Sequence, residues 1–284
     1  MTGRLILVAT PIGNLDDISH RAATALATAD MICCEDTRRT STLLRHLGIS
    51  GIALRVCNEH TEHDLTPAVV DALAAGQQVV VVSDAGTPAV SDPGQRLVAA
   101  AVADGHLVEA VPGANAVLCA LVVSGLPTDR FVFEGFLPRR GAERRDRLAD
   151  IAGETRTVVL YEAPHRIART IDELRAACGG HRQVSISREL TKMHEETRRG
   201  TLGTIDVGDP RGEYVIVLGG ATRDDTIDTA TVRRHLDAEL AAGASRRDAA
   251  AAVARRLGVP RRMAYDLTIG RDDPQPTPPS DEMT

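Results

Sequence analysis

Residues 77–94, QQVVVVSDAGTPAVSDPG, decide the fold. Residues 77–84 predict a β-strand buried on both faces, because four consecutive valines leave no polar side for solvent. Residues 84–94 then hold two glycines, two prolines and two aspartates, which suit a loop whose backbone approaches a ligand closely. Ligands of open α/β sheets lie beyond the carboxyl ends of the strands. We therefore predict a small-molecule site here, and a plain strand-to-helix turn is the alternative.

Strands and helices alternate on both sides of this stretch. Apolar strands are predicted at 4–10, 31–35, 53–57 and 106–111, and helices at 18–29, 37–48, 66–75, 93–105 and in the segment ending at 125. This alternation is typical of a mainly parallel sheet covered by helices on both faces. The predicted fold class is therefore α/β, with a first domain at residues 1–125.

A second set of strands and helices follows the candidate hinge SGLPTD at 124–129. Strands are predicted at 130–136, 155–162, 182–190, 195–205 and 213–220, and helices at 141–152 and 164–177. We expect the last two strands to be antiparallel neighbours. This pattern predicts a second α/β domain at residues 126–222.

The remaining residues carry no strand pattern. Residues 226–270 predict a helix-turn-helix-like segment with its turn at 258–260, and the acidic, proline-rich tail 271–284 is predicted to be disordered. The chain thus has two α/β domains, a small helical segment and a tail.

Composition excludes several classes of protein. The 284 residues contain no apolar run of about 18 and no basic-then-apolar leader, so we expect neither a membrane span nor a secretory signal. The five cysteines include no C-x-x-C pair, which argues against disulfides and a zinc site and favours a reducing cytosol. Only 2% of residues are aromatic, so recognition of many stacked bases is not expected.

Charge is unevenly distributed over a net value of -6. Residues 1–126 hold 7 basic and 13 acidic groups, whereas residues 226–271 hold 9 basic and 5 acidic groups. Five arginines lie within RRGAERRDR at 139–147, and arginine suits bidentate contact with phosphate. A polyanionic partner and an arginine-rich solvated surface both fit this distribution.

Further motifs lie at predicted strand ends. LVATPIGNLDD (7–17) has one glycine, so it is neither a nicotinamide-dinucleotide fingerprint nor a phosphate-binding P-loop. EDTRRT (35–40) places Glu35 and Asp36 before two arginines, either as part of a site or as a solvated helix start. YEAPHR (161–166) places Glu162, His165 and Arg166 at a strand-to-helix junction.

Lys192, within RELTKMHEETRRG (188–200), is the one lysine of the chain. Every other basic residue apart from histidine is arginine, so a retained lysine suits a role that needs a compact ammonium or an adjustable pKa. A solvated charged surface is the alternative for this segment.

These motifs occur in a definite order over residues 10–200. TPIGNLDDIS, EDTRRT, SDAGTPAVSDPG, PGANA with SGLP, FEGFLPRR, YEAPHR and RELTKMHEETRRG resemble the bacterial 16S rRNA cytidine 2′-O-methyltransferases, the RsmI family of the tetrapyrrole-methylase superfamily. The resemblance implies two α/β domains with S-adenosylmethionine (SAM) in the cleft between them. It further implies a cytoplasmic homodimer that methylates a cytidine of the position-1402 type in 16S rRNA of the small ribosomal subunit.

The resemblance also implies site residues. Cofactor contacts are expected at Pro11, Gly13, Asp84, Ala85, Gly86, Thr87, Val90, Asn115, Ala116, Tyr161 and Leu190. As a hypothesis, Lys192 or Glu189 activates the ribose hydroxyl, and Glu162 and His165 shape its pocket. The arginines expected to hold RNA phosphates are Arg139, Arg140, Arg144 and Arg145, and no metal is expected.

Two other functions remain open at this point. The first is methylation of a small tetrapyrrole or another non-RNA acceptor, which would need neither the arginine cluster nor the helical segment. This sequence has ATPIGN where the wider superfamily usually has a glycine-rich first loop, and Gly86-Thr87-Pro88 where that superfamily commonly has Gly-Asp-Pro. Both departures argue against a tetrapyrrole substrate. The second is a DNA-binding helix-turn-helix protein with a ligand-sensing α/β part.

Overall fold

The computed structural model describes residues 3–221, 229–257 and 259–269. The chain divides into two compact units, of which the first ends at Ala221 and contains both sheets. The second unit contains helices only among its described residues. The α/β fold class with a C-terminal helical segment is therefore confirmed, whereas the boundary at 125 stays a prediction.

The first sheet, predicted to be mainly parallel, is parallel throughout. Its strands are β1 (Arg4–Val8), β2 (Met31–Cys34), β3 (Ala53–Val56), β4 (Gln78–Val82) and β5 (Leu107–Val111), in the order β3-β2-β4-β1-β5. Strand β4 lies at the centre and is buried along its whole length. Its position next to β1 brings the loops that follow these two strands to one edge of the sheet.

Helices cover both faces of this sheet. They are α1 (His20–Ala27), α2 (Thr37–His46), α3 (Glu62–Ala74) and α4 (Gln95–Ala103), and a fifth helix, α5 (Ala116–Val123), follows β5 in the chain. Apolar residues of α1 and α2 pack on Val80 and Val82, whereas those of α3 and α4 pack on Val79 and Val81. The four valines thus supply both cores, because successive side chains of a strand point to opposite faces.

Three of the predicted helix starts that are wrong lie near a proline. Helix α3 begins at Glu62, four residues before the predicted start, because a turn at Asn58 leads into it and Pro67 lies inside it. Helix α4 begins at Gln95, after Pro93, because Gly94 has a φ of 128° that no helix contains. Pro164 lies in the turn that precedes the helix at 167–178 rather than in its first turn.

The second sheet is mixed. Its strands are β6 (Phe131–Phe136), β7 (Thr157–Glu162), β8 (Gln183–Arg188), β9 (Glu196–Thr201) and β10 (Tyr214–Leu218), in the order β6-β7-β10-β8-β9. Helices α6 (Ala142–Gly153) and α7 (Ile167–Cys178) belong to the same half of the unit. Their apolar side chains pack against one face of this sheet.

The expectation that β9 and β10 are neighbours is wrong. Strand β9 pairs with β8, and β10 inserts between β7 and β8, antiparallel to both. The reason is hydrophobicity: all five residues of β10 are buried, whereas the polar sequence ETRRGT of β9 suits an edge. Because β10 runs against its neighbours, its first residue lies beside the last residues of β7 and β8.

Helix α5 joins the two halves of this unit. Val117, Ala120 and Leu121 of α5 pack with Val159 and other residues on the second face of the mixed sheet. Ile12 from the first-strand loop and Leu190 belong to the same cluster. The two sheets therefore meet through α5 and these loops, which also line the site.

The second unit consists of α8 (Thr229–Ala241), α9 (Arg246–Leu257) and α10 (Arg261–Ile269). A small core formed by Val232, Leu236, Val253 and Val259, among others, joins the three helices. Gly258 of the predicted turn and the tail from 270 onward lie outside the described residues. In the part of the chain that is described, no helix is long and apolar enough to cross a membrane.

Candidate functional site

The site begins at the loops that follow β1 and β4. The amide of Thr10 donates to the carbonyl of Gly86 at 2.8 Å, and the amide of Gly86 donates back to the carbonyl of Thr10 at 3.0 Å. Gly86 has a φ of 84°, a conformation that glycine adopts without strain. These two bonds fix both loops against each other at the carboxyl edge of the sheet.

The far end of the β4 loop is held by a buried carboxylate. Glu62 is 6% exposed, and its Oε1 accepts the backbone N–H groups of Gly94 at 2.9 Å and Arg96 at 2.8 Å. Both donors lie at the start of α4, where helix amides lack partners and favour negative charge. Within the loop, Ala89 and Ser91 have positive φ angles, so the surrounding contacts must hold a strained backbone.

Two polar side chains of the predicted cofactor loop are held by neighbouring helix starts. Asp84 accepts the backbone N–H of Asp36 at 3.0 Å and lies 3.4 Å from the guanidinium of Arg39. Asn115 caps α5 and donates to the hydroxyl of Thr87 at 3.2 Å. The loop is therefore tied to α2 at one side and to α5 at the other.

The opposite side of the site comes from the segment after β8. Lys192 donates from Nζ to Glu189 Oε1 at 2.8 Å and lies 3.7 Å from Glu213. The hydrogen bond from Lys192 holds the pKa of Glu189 below its usual value. Glu189 is thereby kept ionised beside the Lys192 ammonium.

Two glycines make room for this ion pair. A Cβ atom on Gly13 would clash with the Lys192 side chain, and a Cβ atom on Gly212 would clash with the Glu189 carboxyl group. The amide of Asn14 also donates to the hydroxyl of Thr191 at 3.1 Å. The first-strand loop and the segment after β8 are therefore in direct contact.

A first cavity of about 500 Å³ lies between these elements. All four predicted catalytic residues line it: Glu162, His165, Glu189 and Lys192. Nine predicted cofactor residues also line it: Asp84, Ala85, Gly86, Thr87, Val90, Asn115, Ala116, Tyr161 and Leu190. The structure thus brings together residues that are up to 108 positions apart in the chain.

The other two predicted cofactor residues, Pro11 and Gly13, line a second cavity of about 450 Å³. The two cavities share a wall formed by Ile12, Arg39, Asp84, Ala85, Glu189, Lys192 and Glu213. This wall is rich in charge and contains three ion pairs, Arg39–Asp84 from one half of the unit and Lys192–Glu189 and Lys192–Glu213 from the other.

Carboxylates and an aromatic cluster set the character of the first cavity. Burial, reinforced by the negative charge of Glu35, raises the pKa of Asp92 to about 6. Burial also raises the pKa of Glu35, and that of the Tyr161 phenol to about 12. The ring of Tyr161 packs against Phe133 and Phe136 at centroid distances of 5.0 and 5.4 Å. This cavity suits a ligand with both an apolar part and a positive charge.

Glu162 is an internal anchor of the cavity wall. It is 1% exposed, accepts the Thr170 hydroxyl at 2.6 Å and forms an ion pair with Arg166 at 3.1 Å. His165, by contrast, is exposed at the cavity. The two predicted pocket-shaping residues therefore differ, since Glu162 positions the β7–α7 turn and His165 can contact a ligand.

The four arginines predicted to hold phosphates lie outside both cavities. Arg139, Arg140 and Arg145 are exposed. Arg144 is 3% exposed and donates to Glu173, to Thr170 and to the carbonyl of Pro138. The expectation that Arg144 contacts RNA is therefore corrected, because these internal bonds use its guanidinium.

Several residues that line the cavities were given no role by the motifs in the sequence. Arg39 and Glu35 belong to the EDTRRT motif, and Asp92 belongs to the β4 loop, so their motifs pointed to them without assigning a role. Glu213 precedes β10, and only the antiparallel pairing of β10 places it at the site. Glu62 lines neither cavity but holds the end of the β4 loop; it lies on α3, and no local pattern in its sequence distinguishes it.

Fold and site define a class of protein. Residues 4–206 match the family model described as Tetrapyrrole (Corrin/Porphyrin) Methylases. The methyltransferase CobJ has the same fold, with a TM-score of 0.60 at 22% identity over 78% of this chain and 95% of that chain. Uroporphyrin-III C-methyl transferase from Thermus thermophilus, solved with S-adenyl homocysteine, gives a TM-score of 0.52 at 20% identity over 76% of this chain and 97% of that one.

Curated relatives are much more similar than these solved structures. A Synechocystis sp. protein named Ribosomal RNA small subunit methyltransferase I is 44% identical over 273 residues, which are 94% of this chain and 98% of the relative. A Xylella fastidiosa protein of the same name is 45% identical over 269 residues, 93% of this chain and 98% of the relative. This chain belongs to the ribosomal RNA small subunit methyltransferase I family of tetrapyrrole-methylase-type proteins.

The cap that Glu62 provides can be tested by substitution. Glu62→Ala is expected to lower the free energy of unfolding by about 2 kcal/mol, because two backbone donors at the start of α4 lose a charged acceptor. Glu62→Gln should have a smaller effect, since its amide oxygen can still accept. Urea denaturation measures both. The control is Glu59→Ala, at an exposed neighbouring position; a loss as large as that of Glu62→Ala would contradict the assignment.

Proposed function

We propose that this protein transfers a methyl group from SAM to the 2′-hydroxyl of a cytidine in 16S rRNA of the small ribosomal subunit. The observation that carries the proposal is the 44% identity to a Ribosomal RNA small subunit methyltransferase I over 94% of this chain. Relatives of that name align over nearly their whole length, so the helical segment belongs to the same protein type. The position-1402 type of cytidine is part of the proposal.

The first cavity is the proposed SAM site. Its volume of about 500 Å³ lies within the range of about 300–1,000 Å³ that is usual for ligand sites. Asp84, Asp92 and Glu35 line it, and carboxylates favour the sulfonium and ammonium charges of SAM. The Tyr161 ring and Val90 offer apolar surface for an adenosine moiety. The donor set of this cavity therefore fits SAM.

When bound, SAM supplies an activated methyl group, whose carbon the ribose oxygen attacks as the carbon–sulfur bond breaks. The chain's contribution is to align the two reactants and to exclude water. The hydroxyl proton passes to bulk solvent, and the oxygen carries partial negative charge while that proton leaves. A positive charge close to the oxygen stabilises that state.

Lys192 is the group we assign to this role. It lies on the wall shared by both cavities, and its ammonium is held by Glu189 at 2.8 Å. The lowered pKa of Glu189 makes this residue a weak base and a strong partner for the ammonium. Lys192 therefore acts as a cation that stabilises the oxygen, and Glu189 positions it.

RNA outside the reacting nucleotide is proposed to bind the exposed arginines Arg139, Arg140 and Arg145 at the start of α6. Their guanidinium groups suit phosphate, and binding that releases counterions weakens as salt increases. Such positioning contacts add affinity without reading sequence. Because small ribosomal subunits are assembled in the bacterial cytoplasm, we also propose a cytoplasmic location.

We further propose that the protein is a homodimer that pairs through α5. The sequence of this helix, AVLCALVV, is apolar throughout, and Leu118 and Val122 are 50% and 70% exposed although the opposite side packs on the mixed sheet. Exposed apolar surface of this kind marks interaction sites, and a symmetric pair of identical chains is the most common way to cover it.

The activity is tested with labelled SAM. Wild-type protein, incubated separately with small ribosomal subunits, naked 16S rRNA and duplex DNA, should label 16S rRNA at a ribose whose following bond resists alkali. Lys192→Ala should slow single-turnover transfer at saturating SAM by about 100-fold, because the cation that stabilises the oxygen is lost. Measured rates of both proteins test the proposal and the assignment together.

The matched control is Met193→Ala, because Met193 neighbours Lys192 in sequence and is 93% exposed. It should keep the wild-type rate. Label that stays off RNA with every acceptor would contradict the proposed function. Wild-type rates in Lys192→Ala, with label on RNA, would contradict only the role of Lys192.

The acidic cavity makes SAM binding depend on pH. Asp92, with a pKa of about 6, is ionised at pH 7.5 and protonated at pH 5, so acid removes a charge that attracts the sulfonium. We expect SAM to bind roughly fivefold more weakly at pH 5, corresponding to about 1 kcal/mol, whereas S-adenosylhomocysteine, whose sulfur is neutral, should change less. Calorimetry measures the dissociation constants of both ligands at the two pH values. Asp92→Asn should reduce the effect of pH on SAM binding. Equal pH dependence of the two ligands would be inconsistent with this account.

The dimer is tested by molar mass in solution. Light scattering at micromolar concentration should give twice the 30.2 kDa of one chain. Val122→Glu should yield monomers, because it places a charge within the apolar contact. Val102→Glu on α4, where Val102 is 61% exposed, is the control and should remain dimeric. A monomeric wild type would rule out the proposal.

A further inference from the structure

The second cavity has no role in the function described so far. It lies beside the first-strand loop and is lined by Thr10, Pro11 and Gly13 from that loop and by Thr40, Thr42 and Leu43 from α2. Leu15 completes the apolar part of the lining, and Gly212 and Glu213 close it from the side of β10. A volume of about 450 Å³ is large enough for a ligand of its own.

Position favours an acceptor site over an extension of the cofactor site. The loops proposed to hold SAM, at 84–90 and 115–116, line the first cavity together with Tyr161 and Leu190. Methyl transfer needs two reactants side by side, with reacting atoms about 3–3.5 Å apart. Seven residues line both cavities, so the two spaces adjoin, and a ligand in the second cavity lies next to a ligand in the first.

The wall itself has the chemistry that a nucleotide needs. Arg39 contributes a guanidinium that is 64% exposed and only loosely paired with Asp84, at 3.4 Å, so that it can turn towards a phosphate. Lys192 contributes the ammonium already assigned to the ribose oxygen. Phosphate and ribose are the two parts of a nucleotide that would face these cations.

The rest of the cavity suits a single base. Pro11, Leu15 and Leu43 give apolar surface for the faces of a flat ring. The exposed Thr42 hydroxyl, which donates to the carbonyl of Arg38, can still accept a hydrogen bond from the polar edge of that ring. An RNA base that is unstacked from its neighbours can be held in this way. The size of the cavity limits the ligand to about one nucleotide.

We propose that the second cavity holds the acceptor nucleotide, with its base between the first-strand loop and α2 and its phosphate at Arg39. This inference rests on the proposed function and assigns a place to its substrate. It makes α2 part of substrate recognition, in addition to its role in holding Asp84.

Filling the cavity tests the inference. Thr42 is exposed on α2 and lines the cavity, so Thr42→Trp should occupy the space of the base without disturbing the core. Single-turnover methylation of small subunits should fall at least about 30-fold, whereas the dissociation constant of S-adenosylhomocysteine, measured by calorimetry, should stay within about twofold. Ser41→Trp, one position earlier and also exposed, is the matched control and should behave like wild type in both measurements.

A second pair of variants keeps the test decisive if Thr42→Trp folds poorly. Arg39→Ala should raise the KM for RNA about tenfold and reduce the salt slope of RNA binding by about 1, as expected for one lost phosphate contact. Arg38→Ala, next to it and 89% exposed on its side chain, should change neither.

The outcomes separate the inference from the function on which it rests. Wild type that methylates RNA, together with Thr42→Trp as active as Ser41→Trp or Arg39→Ala indistinguishable from Arg38→Ala, would overturn the inference alone. Loss of S-adenosylhomocysteine binding in Thr42→Trp would also overturn it, because the cavity would then belong to the cofactor. Wild type that methylates no RNA would overturn the proposed function and the inference together.

Discussion

The pair of backbone hydrogen bonds between Thr10 and Gly86 is the constraint on which the site depends. Strands β1 and β4 are parallel neighbours at the centre of the sheet, so the loops that follow them leave the sheet at the same edge and in the same direction. Each loop turns directly after its strand, and each supplies the backbone hydrogen-bond partner that the other loop needs. Because these groups are backbone atoms, the junction restricts the residue only at position 86, where the positive φ favours glycine, and the side chains around it are free to form the two cavities.

The first half of the fold follows closely from local sequence. Four valines in a row predict a central strand, and the strands around it are also apolar, so the parallel sheet and its helices can be predicted without any knowledge of pairing. The mixed sheet is different, because order in an antiparallel sheet depends on which strands meet over long distances. The hydrophobicity of β10 indicates that it is central but does not tell which neighbours it has, and the position of Glu213 follows only from that pairing.

The residues of the site also differ in how far they can be recognised from the sequence. Residues that lie in conspicuous loops, such as Asp84 and Asn115, are recognisable because glycine, proline and capping residues surround them. Glu62 and Thr42 lie on ordinary helix sequence, and they matter because the chain brings α3 to the start of α4 and α2 to the first-strand loop. Arg144 shows the opposite case, since a cluster of arginines looks uniform in sequence while one of them serves as an internal link.

The single lysine has a further consequence for experiment. Because Lys192 is the only lysine among the 284 residues, isotope-labelled lysine supplied during expression places one ammonium signal in the whole molecule. That signal belongs to the wall between the two cavities, so it reports on a ligand in either cavity without assignment by mutagenesis. A composition that replaces lysine by arginine nearly everywhere has thus left the site with a built-in spectroscopic probe.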